Sequence, residues 1–410
     1  MFELIWDGKA EMLNGLTKEP SFQLQPDLLS LCGNHFIEGD NYKALCALRS
    51  TMNNSVDLIY IDPPYNTGQR FVYDDDFRKP YGHDSSHSGQ LSAIHSQWLN
   101  MMYPRLKVAR ELLSPSGVLF VSIDDVAQAS LKLILDEIFG PQQYIQTFLW
   151  RHGKGKKDKF SRTQHQYILA VAKDKSKLPS WRQRITKTYG KTVNPDHDPR
   201  GPWFSGSVSF SEQRSNPKHP NYFTLTSPSG VRWTRQWLCN EVEMNSHLSA
   251  GNIYFGAPPS YSRVPRLKIF QHAADVIPLN ILDDVGTSRS ATRECAANFD
   301  GEHLFDYPKP VALLQHLLEL AIPNGGTVLD FFAGSGTTGV ACMTLEQLNN
   351  RAYPCILVQK PETFDNNRHQ KHIQWAKNRQ VPANVASLTW HRIQSERADN
   401  QHWTRHHIVD

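Results

Sequence analysis

The feature of this 410-residue chain that most restricts its fold is a set of continuous apolar runs, VDLIYI, GVLFVSI, TVLDFF and PCILVQ. Strands without polar alternation are buried on both faces, so they belong to a parallel sheet that is covered by helices on each side. Apolar residues at helical spacing predict such helices at 92–113, 128–140 and 310–322, and Pro104 is expected to kink or interrupt the first. We therefore expect an α/β fold with a doubly wound, mostly parallel sheet.

The middle of the chain, from about 175 to 300, does not continue this pattern, because Gly, Pro, Ser and Asn become frequent and periodicity fades. Residues 151–240 carry 18 Lys and Arg against 5 Asp and Glu, a net charge of +13, whereas the rest of the chain carries −9. This division predicts a polyanion-binding segment, and a solvated basic surface is the alternative. Aromatic residues that could stack on bases lie among these charges: Trp181, Tyr189, Trp203, Phe204, Tyr222, Phe223, Trp233 and Trp237.

These changes in composition predict five segments. They are an N-terminal extension at 1–33, a first α/β half at 34–175, an inserted region at 176–300, a second α/β half at 301–380 and a polar C-terminal tail at 381–410. In that tail, His402, His406 and His407 could bind metal, but a solvated tail is the simpler interpretation and no metal site is expected.

Cysteine usage and hydropathy predict a cytoplasmic protein. The six cysteines are scattered without a CxxC pair, which argues against a disulfide framework or a thiolate zinc site and favours a reducing cytosol. The sequence contains no run of about 18 apolar residues, so no membrane span is expected. The first residues, MFELIWDGKAEML, lack the basic and apolar regions of a secretion signal, so none is expected.

One apolar run ends in the sequence Asp62-Pro63-Pro64-Tyr65. Neither proline has an N–H to donate, so a central strand cannot continue here. The strand end therefore presents a carboxylate, two rigid backbone carbonyls and an aromatic ring. A turn that only ended the strand would need neither the acid nor the ring.

A glycine-rich loop, DFFAGSGTTG at 330–339, follows a second apolar run and opens a helical segment. Its G-x-G-x-x-G spacing, with Gly334 and Gly336, is typical of a loop that approaches a nucleotide closely. A dinucleotide site would also need an acid at the end of the next strand, where Gln359 lies, and a tight turn without a ligand is the structural alternative. Cys355 follows a proline as a nucleophile might, but it opens a buried strand, where cysteine is usually a small apolar residue.

Together the two loops resemble the D-P-P-Y and F-x-G-x-G motifs of the amino-methyltransferases that modify DNA bases. The order of the motifs, with the basic segment between them, is similar to the β group of adenine-N6 methyltransferases. The turn IEGDN at 37–41, the segment FDYPKP at 305–310 and the opening LIWDGK at 4–9 extend the likeness to modification subunits of type III restriction systems. The resemblance implies a circularly permuted methyltransferase fold with a seven-stranded sheet and a target-recognition insert.

The resemblance also implies roles for particular residues. Asp62 and the Pro63 carbonyl would accept the two N–H bonds of the target amine, next to Pro64, and Tyr65 would stack on the flipped base. Asp at the first motif position favours adenine, whereas Ser would favour cytosine-N4. S-adenosylmethionine would be the cofactor, held by Asp40, Lys309, Asp330, Phe331, Phe332, Gly334, Gly336, Thr337 and Gln359.

The partner implied by the basic segment and by the resemblance is duplex DNA. Five side chains at the start of that segment are predicted to contact phosphates: Lys154, Lys156, Lys157, Lys159 and Arg162. A separate restriction endonuclease subunit and a homodimer are compatible with the resemblance. Three other functions stay open, namely a cytosine-N4 methyltransferase, a non-catalytic DNA-recognition subunit, and a methyltransferase that acts on RNA or protein.

Overall fold

The computed structural model describes residues 3–16, 22–25, 33–66, 90–153, 155, 159–187, 192–270 and 272–409. The helices are α1 (Lys9–Leu16), α2 (Asn41–Met52), α3 (Gln90–Leu112), α4 (Gln128–Phe139), α5 (Glu241–Ser249), α6 (Ser288–Ala297), α7 (Val311–Ala321), α8 (Thr337–Asn349), α9 (Gln370–Asn378) and α10 (Val385–Glu396). The first nine strands are β1 (Gln23–Gln25), β2 (Asn34–Glu38), β3 (Val56–Ile61), β4 (Leu113–Ile123), β5 (Tyr144–Arg151), β6 (His165–Ala172), β7 (Gln183–Lys187), β8 (Trp203–Ser207) and β9 (Tyr222–Thr226). The others are β10 (Arg232–Gln236), β11 (Ile253–Tyr254), β12 (Arg266–Phe270), β13 (His272–Val276), β14 (Ile281–Leu282), β15 (Val328–Asp330), β16 (Cys355–Gln359) and β17 (Trp403–Val409).

The chain forms two compact units, one of Met1–Trp181 with Pro278–Asp410 and one of Arg182–Ile277. The second unit lies within the insert predicted at 176–300, and the assignment of that insert to target recognition stays a prediction. No helix in the described ranges is long and apolar enough to cross a membrane.

The first unit is built on a sheet whose described strands run in the order β1-β17-β2-β16-β15-β3-β4-β6-β5-β14. Every neighbouring pair from β17 through β4 is parallel, and β6 is antiparallel to both β4 and β5. The predicted α/β fold with a mostly parallel sheet is confirmed. The expected number of seven strands is too small, because β1, β17 and β14 extend the edges. β1 and β17 contain several polar residues, and β14 has only two residues.

Each central strand contributes to two hydrophobic cores, one on each face of the sheet. On β3, Ile59 and Ile61 pack with α2, α3 and α4, whereas Leu58 and Tyr60 pack with α7, α8 and α10. Successive side chains of a strand point to opposite faces, so a strand between two layers of helices must be apolar throughout. This double burial explains the uninterrupted runs in the sequence.

The predicted helices form, with boundaries set by local signals. α4 ends before Gly140, whose φ of +95° is easily adopted only by glycine. α2 begins after Asp40, whose side chain accepts hydrogen bonds from two backbone N–H groups of its first turn. α3 continues through Pro104, so the proline does not interrupt the helix.

The prediction of a polar C-terminal tail is wrong, because this segment forms α10 and then β17, which pairs in parallel with β2. The polar side chains of β17 meet polar side chains of β2. His406 is 1% exposed, with its Nε2 2.9 Å from Nδ1 of His35, and Arg405 Nε donates to Glu38 at 3.0 Å. Polar residues that are satisfied by a neighbouring strand have the composition of a solvated tail, so the sequence pattern concealed the strand.

The second unit has its own small core and three antiparallel groups of strands: β9 with β10, β11 with β12 and β8, and β7 with β13. Its core contains Val208, Leu225, Trp233, Trp237, Met244, Ile253 and Phe255. Asp198 is buried but accepts hydrogen bonds from Arg200 and Lys268, which compensates its charge. The unit therefore has the internal packing of a folded module.

Gly339, the third glycine of the loop motif, lies in the first turn of α8, where the helix packs closely on the sheet. A Cβ at this position would lie 2.8 Å from Cδ1 of Leu357 and 3.0 Å from the Trp403 ring. We predict that Gly339→Ala lowers the free energy of unfolding by about 1–2 kcal/mol, because the overpacking exceeds the gain in helix propensity. Urea unfolding measures the change.

Gly15 supplies the matched control, since it is also helical and a Cβ there would meet no atom within 4 Å. Gly15→Ala is expected to raise the free energy of unfolding by about 0.5–1 kcal/mol. Equal effects of the two substitutions would show that Gly339 is not needed for close packing.

Candidate active site

The two motif loops leave neighbouring strands at the same edge of the sheet. β3 and β15 are paired in parallel, with Leu58 opposite Val328. The helices that follow them lie on opposite faces, α3 in one core and α8 in the other. In open α/β sheets, this reversal creates a crevice beyond the carboxyl ends of the strands where ligands bind. Here the crevice is a cavity of about 910 Å³.

Most of the predicted catalytic and cofactor residues line this cavity. They are Asp40, Asp62, Pro64, Lys309, Asp330, Phe331, Phe332, Gly334, Thr337 and Gln359. Pro63, Tyr65 and Gly336 belong to the same loops but are not among the lining residues. The structure thus brings together side chains from five segments that are distant in sequence, and their individual roles stay predictions.

The D-P-P-Y loop is held by hydrogen bonds from inside and outside the loop. The Tyr65 hydroxyl donates to Asp62 Oδ1 at 2.5 Å. The indole N–H of Trp98, which is completely buried in α3, donates to the Pro64 carbonyl at 2.7 Å. Trp98 was not among the site residues predicted from the sequence, because its position in the helix is that of an ordinary core residue. These bonds fix the direction of the Asp62 carboxylate.

Lys309 reaches the D-P-P-Y loop as well as the glycine loop. Its Nζ lies 2.5 Å from Asp62 Oδ2 and donates to the Tyr65 hydroxyl at 2.9 Å, and its side chain is 7% exposed. Its backbone carbonyl accepts a hydrogen bond from the Thr337 hydroxyl at 3.2 Å, at the start of α8. One residue therefore contacts both motif loops.

The glycine loop adopts a backbone that suits glycine, with φ of +52° at Gly334 and +76° at Gly336. The Gly334 N–H donates to the Gln359 side-chain oxygen at 2.8 Å, and its carbonyl accepts from Thr389 on α10 at 2.6 Å. Gln359 thus orders the loop from the adjacent strand. An amide oxygen with two lone pairs can accept this bond and one more.

A buried arginine supports the loop from behind. Arg392 on α10 is 1% exposed, and its guanidinium donates to the carbonyl and hydroxyl of Ser335 and to the hydroxyl of Thr337, at 2.9–3.1 Å. Nothing in the sequence indicated this contact, because Arg392 lies in the segment that was expected to be a solvated tail.

The turn before α2 is connected to the glycine loop through Asn41. The Asn41 amide donates to the Phe331 carbonyl at 2.8 Å, and its oxygen accepts from Arg105 Nε at 2.6 Å. Arg105 also pairs with Asp40 at 3.4 Å, and burial lowers the pKa of its guanidinium while Asp40 opposes that shift. Asn41 belongs to the IEGDN turn, so its signal was present, whereas Arg105 is an isolated cation within a long helix.

The predicted DNA contacts are only partly described. Lys159 and Arg162 are exposed and do not line the cavity, whereas Lys154, Lys156 and Lys157 lie outside the described residues. Three tryptophans expected to stack on bases are instead buried in the second unit: Trp203, Trp233 and Trp237. Base stacking by these three is therefore ruled out, since an aromatic ring in a core has no free face.

Cys355 is completely buried in β16, and this burial raises the pKa of its thiol well above the usual range. A thiol in this state is not a nucleophile, since the thiolate is the reactive form. The interpretation of Cys355 as a small apolar residue is confirmed.

Asp330 is a buried acid at the end of β15. It is 2% exposed, accepts hydrogen bonds from the Phe332 N–H at 3.0 Å and the Thr338 hydroxyl at 2.5 Å, and lies near the charge of Asp62. Burial raises the pKa of Asp330 from its ordinary 3.8 to about 7, against the two hydrogen bonds. The acid is therefore largely protonated in the folded protein below neutral pH.

This shift predicts a pH-dependent stability. Between about pH 4 and pH 7 the folded state holds a proton that the unfolded state has lost, so stability falls as pH rises. The full contribution is about 4 kcal/mol, from a shift of roughly three pH units at 1.36 kcal/mol each. Asp330→Asn cannot titrate but keeps the acceptor for the Phe332 N–H. Its stability relative to the wild type should therefore increase as pH rises through this range.

Urea unfolding at several pH values from 4 to 8 measures this difference. Asp399→Asn, at an exposed position, is the control and should follow the wild-type pH profile. If Asp330→Asn also runs parallel to the wild type, the proposed titration of Asp330 is absent.

Three curated relatives resemble this chain. The StyLTI Mod subunit of a type III restriction-modification enzyme from Salmonella typhimurium is 34% identical, over 82% of this chain and 53% of the relative. The Escherichia coli EcoP15I Mod subunit is 30% identical over 82% and 60%, and the type II methyltransferase M.KpnI from Klebsiella pneumoniae is 28% identical over 78% and 79%. The chain thus spans a little more than half the length of the type III relatives.

A family model described as DNA methylase, of the N6 and N4 methyltransferase type, matches residues 56–364. The match covers three quarters of the chain and includes both motif loops and the whole second unit. With a cavity formed by those two loops at the switch point of a parallel sheet, this chain belongs to the DNA methylase family.

Proposed function

We propose that this chain transfers a methyl group from S-adenosylmethionine to the N6 amine of adenine in double-stranded DNA. The observation that carries the proposal is the shared cavity, which the Asp62 carboxylate and the glycine loop line from adjacent strands. A transfer between two bound molecules needs both to be held at one place in a fixed geometry. The names of the curated relatives support the same reaction class.

The residues around the cavity fit S-adenosylmethionine, a nucleoside joined to an amino acid through sulfur. Gly334 and Gly336 have left-handed backbones without side chains, and Phe332 is only partly buried. Asp40 would face the amino-acid portion, and the second lone pair of the Gln359 oxygen would accept a ribose hydroxyl. When bound, the cofactor supplies a methyl group that the positive charge on sulfur makes electrophilic.

Asp62 and the first proline of the motif would prepare the amine for attack. The exocyclic amine of adenine is a poor nucleophile, because its lone pair is delocalised into the ring. Acceptance of one N–H by Asp62 and of the other by the Pro63 carbonyl favours a tetrahedral nitrogen with a directed lone pair. The Pro64 carbonyl already accepts from Trp98, which supports the assignment to Pro63.

The target base must leave the double helix to reach Asp62, because its amine is paired inside the duplex. Tyr65 would stack on the extruded ring, while its hydroxyl holds the Asp62 carboxylate. The rigid loop would thus select the base and orient its amine together. Aspartate rather than serine at position 62 favours adenine over cytosine.

The remaining parts of the proposal concern DNA and partners. The net charge of +13 on residues 151–240 supports contact with the phosphate backbone. By analogy with relatives that are named Mod subunits of restriction-modification enzymes, we infer a host-marking role and a separate nuclease subunit. A homodimer and a cytoplasmic location, with the described cysteines all free, complete the proposal.

Asp62→Ala should abolish methyl transfer, with a loss of at least about a hundredfold, because the amine loses its oriented acceptor. The purified chain is incubated with S-adenosylmethionine and unmethylated DNA, and the nucleosides are identified by mass spectrometry. N6-methyladenine from the wild type and none from Asp62→Ala supports both reaction and residue.

The control is Asp399→Ala, an exposed aspartate that should retain full activity. Detection of N4-methylcytosine would show that cytosine is the target base and would keep the proposed mechanism. Methylation of RNA or protein alone would show that the substrate is not DNA. Absence of any methylated product, together with retained DNA binding, would favour the non-catalytic recognition subunit.

Binding to DNA should weaken steeply with salt, since each phosphate contact releases counterions. Replacing both Lys159 and Arg162 by alanine should reduce the slope of log K against log salt by about two. Fluorescence anisotropy with a labelled duplex measures the slope. Lys371→Ala, at an exposed lysine outside the basic segment, is the control. An unchanged slope in the double variant would remove these two residues from the interface.

A further inference from the structure

We propose that Lys309 is a positioning residue for Asp62, which holds the carboxylate in place for the target amine and connects it to the glycine loop. From the sequence, Lys309 was predicted to hold the cofactor. The present inference rests on the proposed methyl transfer to an amine and adds a residue to that site.

Lys309, Asp62 and Tyr65 form a closed set of three hydrogen bonds. Lys309 Nζ donates to Asp62 Oδ2 at 2.5 Å and to the Tyr65 hydroxyl at 2.9 Å, and that hydroxyl donates to Asp62 Oδ1 at 2.5 Å. Among the described residues, each carboxylate oxygen therefore has one donor. Two donors at fixed places prevent rotation of the carboxylate, which a single donor would allow.

The Asp62 carboxylate keeps acceptor sites for the target amine. Each oxygen of a carboxylate has two lone pairs, so the bonds from Lys309 and Tyr65 leave a lone pair on each oxygen. The target N–H can use one of these without displacing the lysine. The arrangement is thus compatible with the acceptor role of Asp62 and restricts the direction from which the amine approaches.

The ammonium group of Lys309 lies near two aromatic rings. Nζ lies 5.3 Å from the centre of the Tyr65 ring and 5.7 Å from that of Trp150, whose side chain is almost completely buried. A buried ammonium needs a counter-charge and favourable surroundings, which Asp62 and the two rings supply. The lysine therefore has one well-defined position rather than several.

The backbone of Lys309 is connected to the glycine loop. Lys309 lies between Pro308 and Pro310, whose fixed φ angles stiffen the segment, and its carbonyl accepts from Thr337. Thr337 is in turn held by Arg392. The backbone of Lys309 is thus tied to the loop assigned to the cofactor while its side chain is tied to the acid assigned to the base, so the spacing of the two is set by one residue.

The test uses Lys309→Met, which keeps the unbranched side chain to within one atom of its length and removes its charge and donors. Methyl transfer to duplex DNA is followed at saturating DNA and cofactor, and cofactor affinity is measured separately by calorimetry. We expect kcat to fall by about ten- to a hundredfold, as for a misplaced catalytic group, with less than a threefold change in cofactor Kd. Lys377→Met, at an exposed lysine of α9, should change neither.

Rescue experiments separate positioning from a purely structural role. Because Lys309 lines the cavity, ethylammonium added to Lys309→Ala should restore part of kcat in a saturable manner. In addition, Tyr65→Phe should lower kcat several-fold in the wild-type background and much less in Lys309→Met, since the two donors act on one carboxylate. The rescue of Lys309→Ala also applies if Lys309→Met folds poorly.

Two results would overturn the inference while leaving the proposed function intact. One is a tenfold or larger rise in cofactor Kd with kcat unchanged at saturation, which would return Lys309 to the cofactor. The other is wild-type kcat in Lys309→Met. If the wild type itself forms no methylated base, the proposed function fails and this inference fails with it.

Discussion

The parallel pairing of β3 with β15 is the constraint on which the site depends. It places Asp62 and the glycine loop side by side although Leu58 and Val328, which face each other, belong to opposite ends of the chain. Close packing on both faces disfavours other registers, because a shift of one residue would exchange Leu58 and Ile59 between two cores that are already filled. The packing that stabilises the sheet therefore also determines where the D-P-P-Y loop begins.

Around this pairing, buried cations join segments that the sheet alone would leave independent. Lys309 connects Asp62 to the start of α8, Arg392 connects α10 to the glycine loop, and Arg105 connects α3 to the turn before α2. A cation in a poorly solvated place costs free energy unless its donors are satisfied, so each of these residues has essentially one acceptable position. These contacts order the loops from within the protein, which is the preorganisation that transfer chemistry requires.

The second unit illustrates how composition can point to two structures. Tryptophans among cations are compatible with base stacking and with a small core, and Trp203, Trp233 and Trp237 turned out to be core residues. Short strands of about five residues carry too little periodicity to separate the two cases. The net charge remains informative, because most charged side chains stay at the surface whichever fold the segment adopts.

The sequence by itself determined the fold class and the two motif loops. Continuous apolar runs require a sheet with two covered faces, and the residue types of the D-P-P-Y and glycine loops restrict their local backbone. Only the tertiary structure decided that Lys309 faces Asp62, that Arg392 supports the glycine loop and that His406 lies within a strand of the central sheet. The physical reason is range, since local backbone preference and hydrophobic periodicity act over a few residues. These contacts join groups that are 57, 247 and 371 residues apart and follow from how the whole sheet is assembled.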